Sequence, residues 1–383
     1  MTLSSPFSIK RSIRWGVISF FFTQGLCFAS WASRIPDIKA TLGLSDAGLG
    51  SVLFALPAGS MAGLPFAGWL VTRLGSKKVA LAASILYVLA MVSIGFATMT
   101  WHLVVSLFLF GVGGNLVNIS INTQAIGVEN LYKKSIMASF HGAWSVAGFT
   151  GAAIGALAVS KHIHPSYHFI AIATLCFIAI SVARHYTLRA KIGGGDHPLF
   201  AIPDSPLLKL GLIGFCGMAC EGAMFDWSGV YFQKVVEAPA EWVTLGYVVF
   251  MCAMATGRFA GDGLVNRIGR KRMIQLSGIL VAAGLLLSVL LPFIVPVTIG
   301  FLLVGFGISS VVPLVYSAAG KSLTFSPGMA LAAVSTISFF GFLIGPPLIG
   351  FIAEASSLRY SFAVIAVLGL CTTLLTSRAK LIQ

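Results

Sequence analysis

An all-α membrane protein of 12 transmembrane helices, in two six-helix bundles related by a pseudo-twofold axis along the membrane normal, is the fold that three observations predict. Apolar runs of spanning length follow one another along nearly the whole chain. Lys and Arg gather in alternate intervals between those runs. Loop and glycine motifs recur at a single offset of 194 residues. The chain is 57% hydrophobic and 9% charged, whereas a soluble domain carries about 25% charged residues. Twelve spans of about 20 residues occupy roughly 240 positions, which leaves short loops and no room for a soluble domain.

In order, the predicted spans are 14–35, 46–72, 78–98, 102–127, 135–159, 166–186, 207–234, 242–265, 272–292, 296–320, 328–352 and 358–377. Residues 1–14 are basic and lead into an apolar run from Trp15 to Ser33. That run is longer than the core of a signal peptide and more spans follow it, so it reads as a retained first helix. The longest interruption, 187–206, holds Arg189, Lys191, Gly193-Gly194-Gly195, Pro198, Pro203 and Pro206, the composition of a linker. It separates an N-terminal bundle, 1–186, from a C-terminal bundle, 207–383.

With the N-terminus in the cytoplasm, 20 of the 25 Lys and Arg fall in cytoplasmic segments, Arg258 counted among them; Arg34, Lys39, Lys161, Lys234 and Arg359 face the other side. Such a bias in short loops sets membrane orientation. Both termini are thus expected in the cytoplasm, in a bacterial inner membrane. The net charge of +14 is spread over these loops beside anionic lipid headgroups, so membrane lipid is the expected partner and nucleic acid is not. Trp15, Trp69, Trp101 and Trp242 sit near span ends, as interfacial anchors do.

The repeat is visible in three regions. Arg73-Leu74-Gly75 returns as Arg267-Ile268-Gly269, Gly111-Val112-Gly113 as Gly305-Phe306-Gly307, and Gly151 as Gly345. Six spans per half give both halves one orientation, hence a parallel repeat.

The repeated loops read Gly68-Trp69-Leu70-Val71-Thr72-Arg73-Leu74-Gly75-Ser76-Lys77-Lys78 and Asp262-Gly263-Leu264-Val265-Asn266-Arg267-Ile268-Gly269-Arg270-Lys271-Arg272. They resemble the G-x-x-x-D-R-x-G-R-K loop signature of the major facilitator superfamily, and with the spans and linker the resemblance covers the whole chain. Gly257-Arg258-Phe259-Ala260-Gly261-Asp262 and His141-Gly142-Ala143-Trp144-Ser145 look like its fucose-permease-like branch. The resemblance implies a gating role for Arg73, Gly75, Arg258, Asp262, Arg267 and Gly269. Physically, Arg73 and Arg267 stand where a cation satisfies the last carbonyls of a helix, and Gly75 and Gly269 allow a sharp turn. The bland reading is a pair of topology-setting loops. Both copies depart from the signature: Thr72 and Asn266 replace its Asp and Asp262 takes its Gly position in the second copy; Arg258 and Asp262, four apart, offer a substitute pair.

Deep polar groups are confined to certain spans: Gln24 in the first, Asn115, Asn118, Asn122 and Gln124 in the fourth, His141 in the fifth, Glu221 and Asp226 in the seventh. Spans three, six, nine and twelve have none, and in the superfamily those four are peripheral. An ionised acid inside a membrane helix costs roughly 2.5–3.5 kcal/mol on insertion scales, and no Lys or Arg is expected at the depth of Glu221 or Asp226. Low dielectric favours the neutral form of a carboxylic acid, so these two, with His141 as a relay, are the candidates for proton coupling. The alternative for each is a neutral group hydrogen-bonded between helices.

Asn115, Asn118 and Asn122 share one helical face, suited to solute hydroxyls or to interhelical bonding. Trp31, Trp144 and Trp227 lie inside spans, where an indole either stacks on a sugar-like ring or fills the core. With Gln24, these residues form the predicted substrate-binding set.

Other signals are discounted. Gly320-Lys321-Ser322 resembles the end of a phosphate loop but has Val315 where that motif needs Gly, so transport draws on a gradient. Cys216 and Cys220 are one turn apart without further ligands, and His162, His164 and His168 share one short loop with a proline; no metal and no cofactor is expected. No catalytic spacing points to an enzyme. The expected function is a monomeric secondary transporter moving a small-molecule, sugar-like solute by alternating access, in symport with a proton (or Na+). The alternative is proton-driven efflux of drugs or metabolites, whose span-five pattern is incomplete: Gly148, Gly151 and Gly155 are present without a proline.

Overall fold

The computed structural model describes residues 6–44, 51–188, 203–239, 242 and 245–379. Most of the predicted linker and the last four residues therefore lie outside the described residues. The helices are α1 (Pro6–Ala32), α2 (Ile35–Thr41), α3 (Ala55–Leu74), α4 (Ser76–Gly95), α5 (Thr100–Tyr132), α6 (Met137–Ser160), α7 (Pro165–Ala183), α8 (Ser205–Lys234), α9 (Leu245–Ile268), α10 (Arg270–Leu290), α11 (Ile294–Ile308), α12 (Val311–Ala319), α13 (Pro327–Ala355) and α14 (Leu358–Ser377). A 3-10 turn, Arg184–Tyr186, follows α7.

Among the described residues, eleven helical segments are long and apolar enough to cross a membrane. The exception among the expected spans is α1, whose 27 residues include Lys10, Arg11, Arg14, Thr23 and Gln24. At 1.5 Å per residue it is about 40 Å long, ample for a crossing. Backbone hydrogen bonding inside each helix is what permits these segments in lipid.

Two compact units emerge. The first comprises 1–133, 143–201 and 325–332; the second comprises 134–142, 202–324 and 333–383. The start of α6 therefore packs within the second unit and the start of α13 within the first. The first unit's interior includes the stacked rings of Tyr87 and Phe110, 4.1 Å apart. The second has an aromatic cluster of Tyr231, Phe232, Phe301 and Phe362, with centroids 4.3–5.9 Å apart.

The repeat is structural as well as textual. Gly75 and Gly269 adopt φ of 86° and 85°, and their N–H groups donate to Val71 O and Val265 O, again 194 apart. Only glycine takes this backbone conformation readily, and it lets α4 and α10 start immediately after the preceding helix. Gly111 lies against the Leu56 carbonyl and Gly305 against that of Phe250, so each unit uses the same glycine to bring two backbones together.

One predicted span departs from a continuous helix. The tenth, expected at 296–320, is broken at Ser309-Ser310 into α11 and α12. Pro313 has no N–H, so the Ser309 carbonyl loses its i+4 donor, and the Ser309 hydroxyl folds back onto Phe306 O at 2.6 Å.

Candidate transport sites

The second unit holds a buried ion pair. Glu221 of α8 accepts from Nη2 of Arg258 in α9, Oε1 to nitrogen 3.2 Å, with side chains 12% and 7% exposed. This corrects the expectation that no cation shares the depth of Glu221. Arg258 had been counted with the cytoplasmic end, but α9 runs to Ile268. Arg258 therefore sits ten residues inside the helix, about 15 Å from its end. The flanking glycines were the available signal: a side chain at Gly257 would meet Ser309 Oγ at 2.5 Å and one at Gly261 would meet Ser310 Oγ at 2.9 Å. These glycines hold α9 against the break in the tenth span.

His141, from the start of α6, faces the ring of the buried Tyr316, with centroids 6.3 Å apart at 64°. Tyr316 drew no notice in the sequence because it reads as one more apolar-run aromatic. Asp226 lies one and a half turns beyond Glu221 in α8; its side chain is outside the described residues.

Asp262, one turn from Arg258, serves the start of α6. Its carboxylate accepts from the N–H groups of Ala138 at 3.0 Å and Ser139 at 2.9 Å, and from the Ser139 hydroxyl. These are orphan donors of a helix N-terminus, where negative charge is favoured. Asn266 adds two bonds to Ser135, accepting from its N–H and donating to its carbonyl, each at 3.0 Å. In the first unit, Thr72 stands where Asn266 stands in the second, and its hydroxyl meets that of Ser326 at 2.7 Å. Thr72 and Asn266, which replace the signature's Asp, thus each retain a polar partner. Arg73 and Arg267 are exposed in the last turns of α3 and α9, and the Arg73 guanidinium lies 5.1 Å from the Trp69 ring.

The polar face of α5 divides by role. Gln24 donates to the Gly114 carbonyl at 2.9 Å, fixing α1 to α5. Asn122, fully buried, donates to the Asn118 carbonyl one turn back. Gln124 is bonded to Ser76 and to both backbone groups of Leu188, a structural clamp. Asn115 is 3% exposed, and neither atom of its amide finds a hydrogen-bond partner among the described residues; the same holds for Asn118 Oδ1. Buried amides left this way are unusual.

The internal tryptophans differ. Trp31 is 2% exposed and belongs to the core. Trp144 is half-buried, 6.1 Å from Phe28. Trp227 borders the second unit's core, and a side chain at Gly350 would touch its ring at 3.3 Å. Trp15, Trp101 and Trp242 are well exposed. The loop histidines separate: His162 takes φ 52°, His164 caps α7 through Ser166, and His168 is buried. No cluster of three or more His, Cys, Asp or Glu able to hold a metal occurs among the described residues.

Comparison with known proteins agrees with this geometry. The family model of the Major Facilitator Superfamily matches residues 16–326. An uncharacterised MFS-type transporter of Yersinia pestis is 33% identical over 94% of this chain and 93% of its own. Membrane protein MosC of Rhizobium meliloti is 31% identical over 91% and 86%. Among solved structures, the transporter FucP in its outward conformation superposes with a TM-score of 0.82 at 15% identity, covering 98% of this chain and 99% of FucP. The human organic anion transporter MFSD10 gives 0.76 at 14% identity, covering 97% and 100%. The chain is a multi-pass membrane transporter, not an enzyme, of twelve-helix, two-bundle architecture, and it belongs to the Major Facilitator Superfamily.

Proposed function

We propose that this transporter is a proton-coupled symporter for a small hydroxylated solute, working by alternating access between its N- and C-terminal halves in a bacterial inner membrane, with both termini in the cytoplasm. The observation that carries the reading is the buried Glu221–Arg258 pair. A carboxylate next to a guanidinium exchanges a proton for a salt bridge: ionised, it holds Arg258; protonated, it releases it. Removing one member of a buried pair costs about 3–5 kcal/mol, so the two states differ by enough to couple to a conformational change. A proton suits this place better than Na+, because a metal cation at Glu221 would sit against the positive guanidinium, whereas a proton adds no volume.

The amides of Asn115 and Asn118, which carry buried atoms without hydrogen-bond partners among the described residues, supply donors and acceptors for solute hydroxyls. Gln24 bonds the neighbouring Gly114 carbonyl, and Trp144 belongs to the same unit. Asp262 and Asn266, anchored to the start of α6, and Thr72, anchored to Ser326, act as the gating contacts.

The test is solute-driven proton movement. In proteoliposomes with a trapped pH-sensitive dye, an inward solute gradient should acidify the lumen, with no requirement for sodium. Solute entry without a pH change would defeat proton coupling, and strict sodium dependence would reassign the ion.

A further inference from the structure

The first unit carries a cationic face that the candidate transport sites do not use. We infer that Lys10, Arg11, Arg14, Lys133 and Arg184 form a docking site for the phosphate groups of an anionic membrane phospholipid, with a two-phosphate lipid such as cardiolipin the tightest occupant. Such a site is independent of the solute and of the coupling ion.

Three elements build the face, and each is tied to the other two. Lys10 Nζ of α1 donates to the Leu131 carbonyl at the end of α5, at 3.1 Å. The Arg14 guanidinium lies 5.7 Å from the centroid of the Tyr132 ring, which places it beside Lys133. The 3-10 turn Arg184–Tyr186 closes on α1 at Gly16, where any side chain would run into the Tyr186 carbonyl. Just past that turn, the N–H of Leu188 donates to the Gln124 amide of α5 at 2.8 Å, and the same amide donates to the Leu188 carbonyl at 3.0 Å. The cations therefore stand on a braced frame, which lowers the ordering cost of binding.

The charge on this frame lacks a counterpart. None of the five cations forms an ion pair among the described residues, where the pairs involve Arg34 and Arg258 instead. Arg11, Lys133 and Arg184 are exposed, and Arg14 Nε is buried without a hydrogen-bond acceptor among the described residues. Glu129, the one described acid near this end of the unit, is 4% exposed. A guanidinium takes a phosphate through a two-point fork. Each Lys or Arg beside an anionic surface strengthens binding about fivefold. Cations contributed by three elements exceed what one phosphate can accept, which favours a lipid with two.

Apolar and interfacial side chains adjoin the cations. Ile9, Trp15, Val182 and Tyr186 are all exposed, and Trp and Tyr at such positions sit at headgroup level. Acyl chains can thus run along α1 and α7 below the phosphates. A soluble anion would use the cations and leave that apolar surface bare.

The experiment uses the purified full chain in a neutral detergent, read as the thermal unfolding midpoint and as lipid retained in native mass spectrometry. Cardiolipin should raise the midpoint most, phosphatidylglycerol less, and phosphatidylethanolamine or inorganic phosphate not at all. Arg11→Gln/Arg14→Gln/Arg184→Gln should need at least about tenfold more cardiolipin for the same shift. Should that triple variant fail to fold, Arg11→Gln/Arg184→Gln, at two exposed positions, carries the same test with a loss of at least about fivefold. The control Lys209→Gln/Arg272→Gln/Arg378→Gln removes as much charge from the second unit and should respond to cardiolipin as the wild type does. Stabilisation by phosphatidylethanolamine equal to that by cardiolipin, or an equal loss in the control, would overturn the site and leave only topology-setting charge. Stabilisation by inorganic phosphate to the level of cardiolipin would overturn the lipid as its occupant.

Discussion

Thr72 and Asn266 occupy the same position of the repeated loop motif, 194 residues apart, and each bonds a serine just ahead of a long helix. Thr72 meets Ser326 before α13, and Asn266 meets Ser135 before α6. The two copies are chemically unequal. The first is a neutral hydroxyl pair, whereas the second is reinforced by the Asp262 carboxylate on the N–H groups of Ala138 and Ser139.

The inequality should appear in stability. Asp262→Ala removes a helix cap, a change that costs about 1–2 kcal/mol, more where the acceptor is charged. Thr72→Val removes one neutral bond, about 0.5–1.5 kcal/mol. Thermal unfolding in detergent should therefore show the larger loss for Asp262→Ala. Equal losses would mean that the cap is not what holds the start of α6.

Gly269 isolates backbone strain from crowding, because a side chain there would meet nothing within 4 Å while φ is 85°. Gly269→Ala should destabilise by about 1–3 kcal/mol through strain alone. Gly263, in α9 with equally open space, is the control: Gly263→Ala should be neutral or stabilising by up to about 1 kcal/mol. The pair of midpoints by differential scanning fluorimetry decides the point.

Arg34 ties down one end of the first unit. Its Nε lies 2.7 Å from Asp37 Oδ2, and Nη2 donates to the Ile163 carbonyl between α6 and α7. The side chain is 3% exposed. Arg34→Gln should lower stability by about 1–3 kcal/mol. Arg34→Lys should recover only part of it, because a point ammonium cannot reproduce the fork that serves two acceptors in different directions.

Much of this was legible beforehand, and the reasons are local. Apolar runs report spans because lipid demands them, and the last, 358–377, coincides with α14. The Gly75 and Gly269 turns were readable because backbone geometry selects the residue. Arg258 was less so: Gly257 and Gly261 signal a close helix approach, but its partner depends on how α8 and α9 are rotated against each other, which no run of residues encodes. The split tenth span was foreshadowed by Pro313 after two serines, a weak signal inside an apolar stretch. Asn115, Asn118 and Asn122 were correctly placed on one face of α5. Only the structure distinguishes Asn122, bonded to its own helix, from Asn115, whose amide has no partner among the described residues.

Stability also probes the buried pair. Glu221→Gln and Arg258→Gln each remove one member of the buried pair and should each cost about 3–5 kcal/mol, while the double variant should lie nearer the wild type. A double-mutant cycle with no coupling energy would mean the two side chains act independently.

The most direct measurement compares accumulation with exchange in Glu221→Gln proteoliposomes. If Glu221 carries the coupling proton, uptake driven by an imposed pH gradient is lost while solute exchange at equal pH persists. Gradient-driven accumulation at the wild-type level in that variant would contradict the assignment.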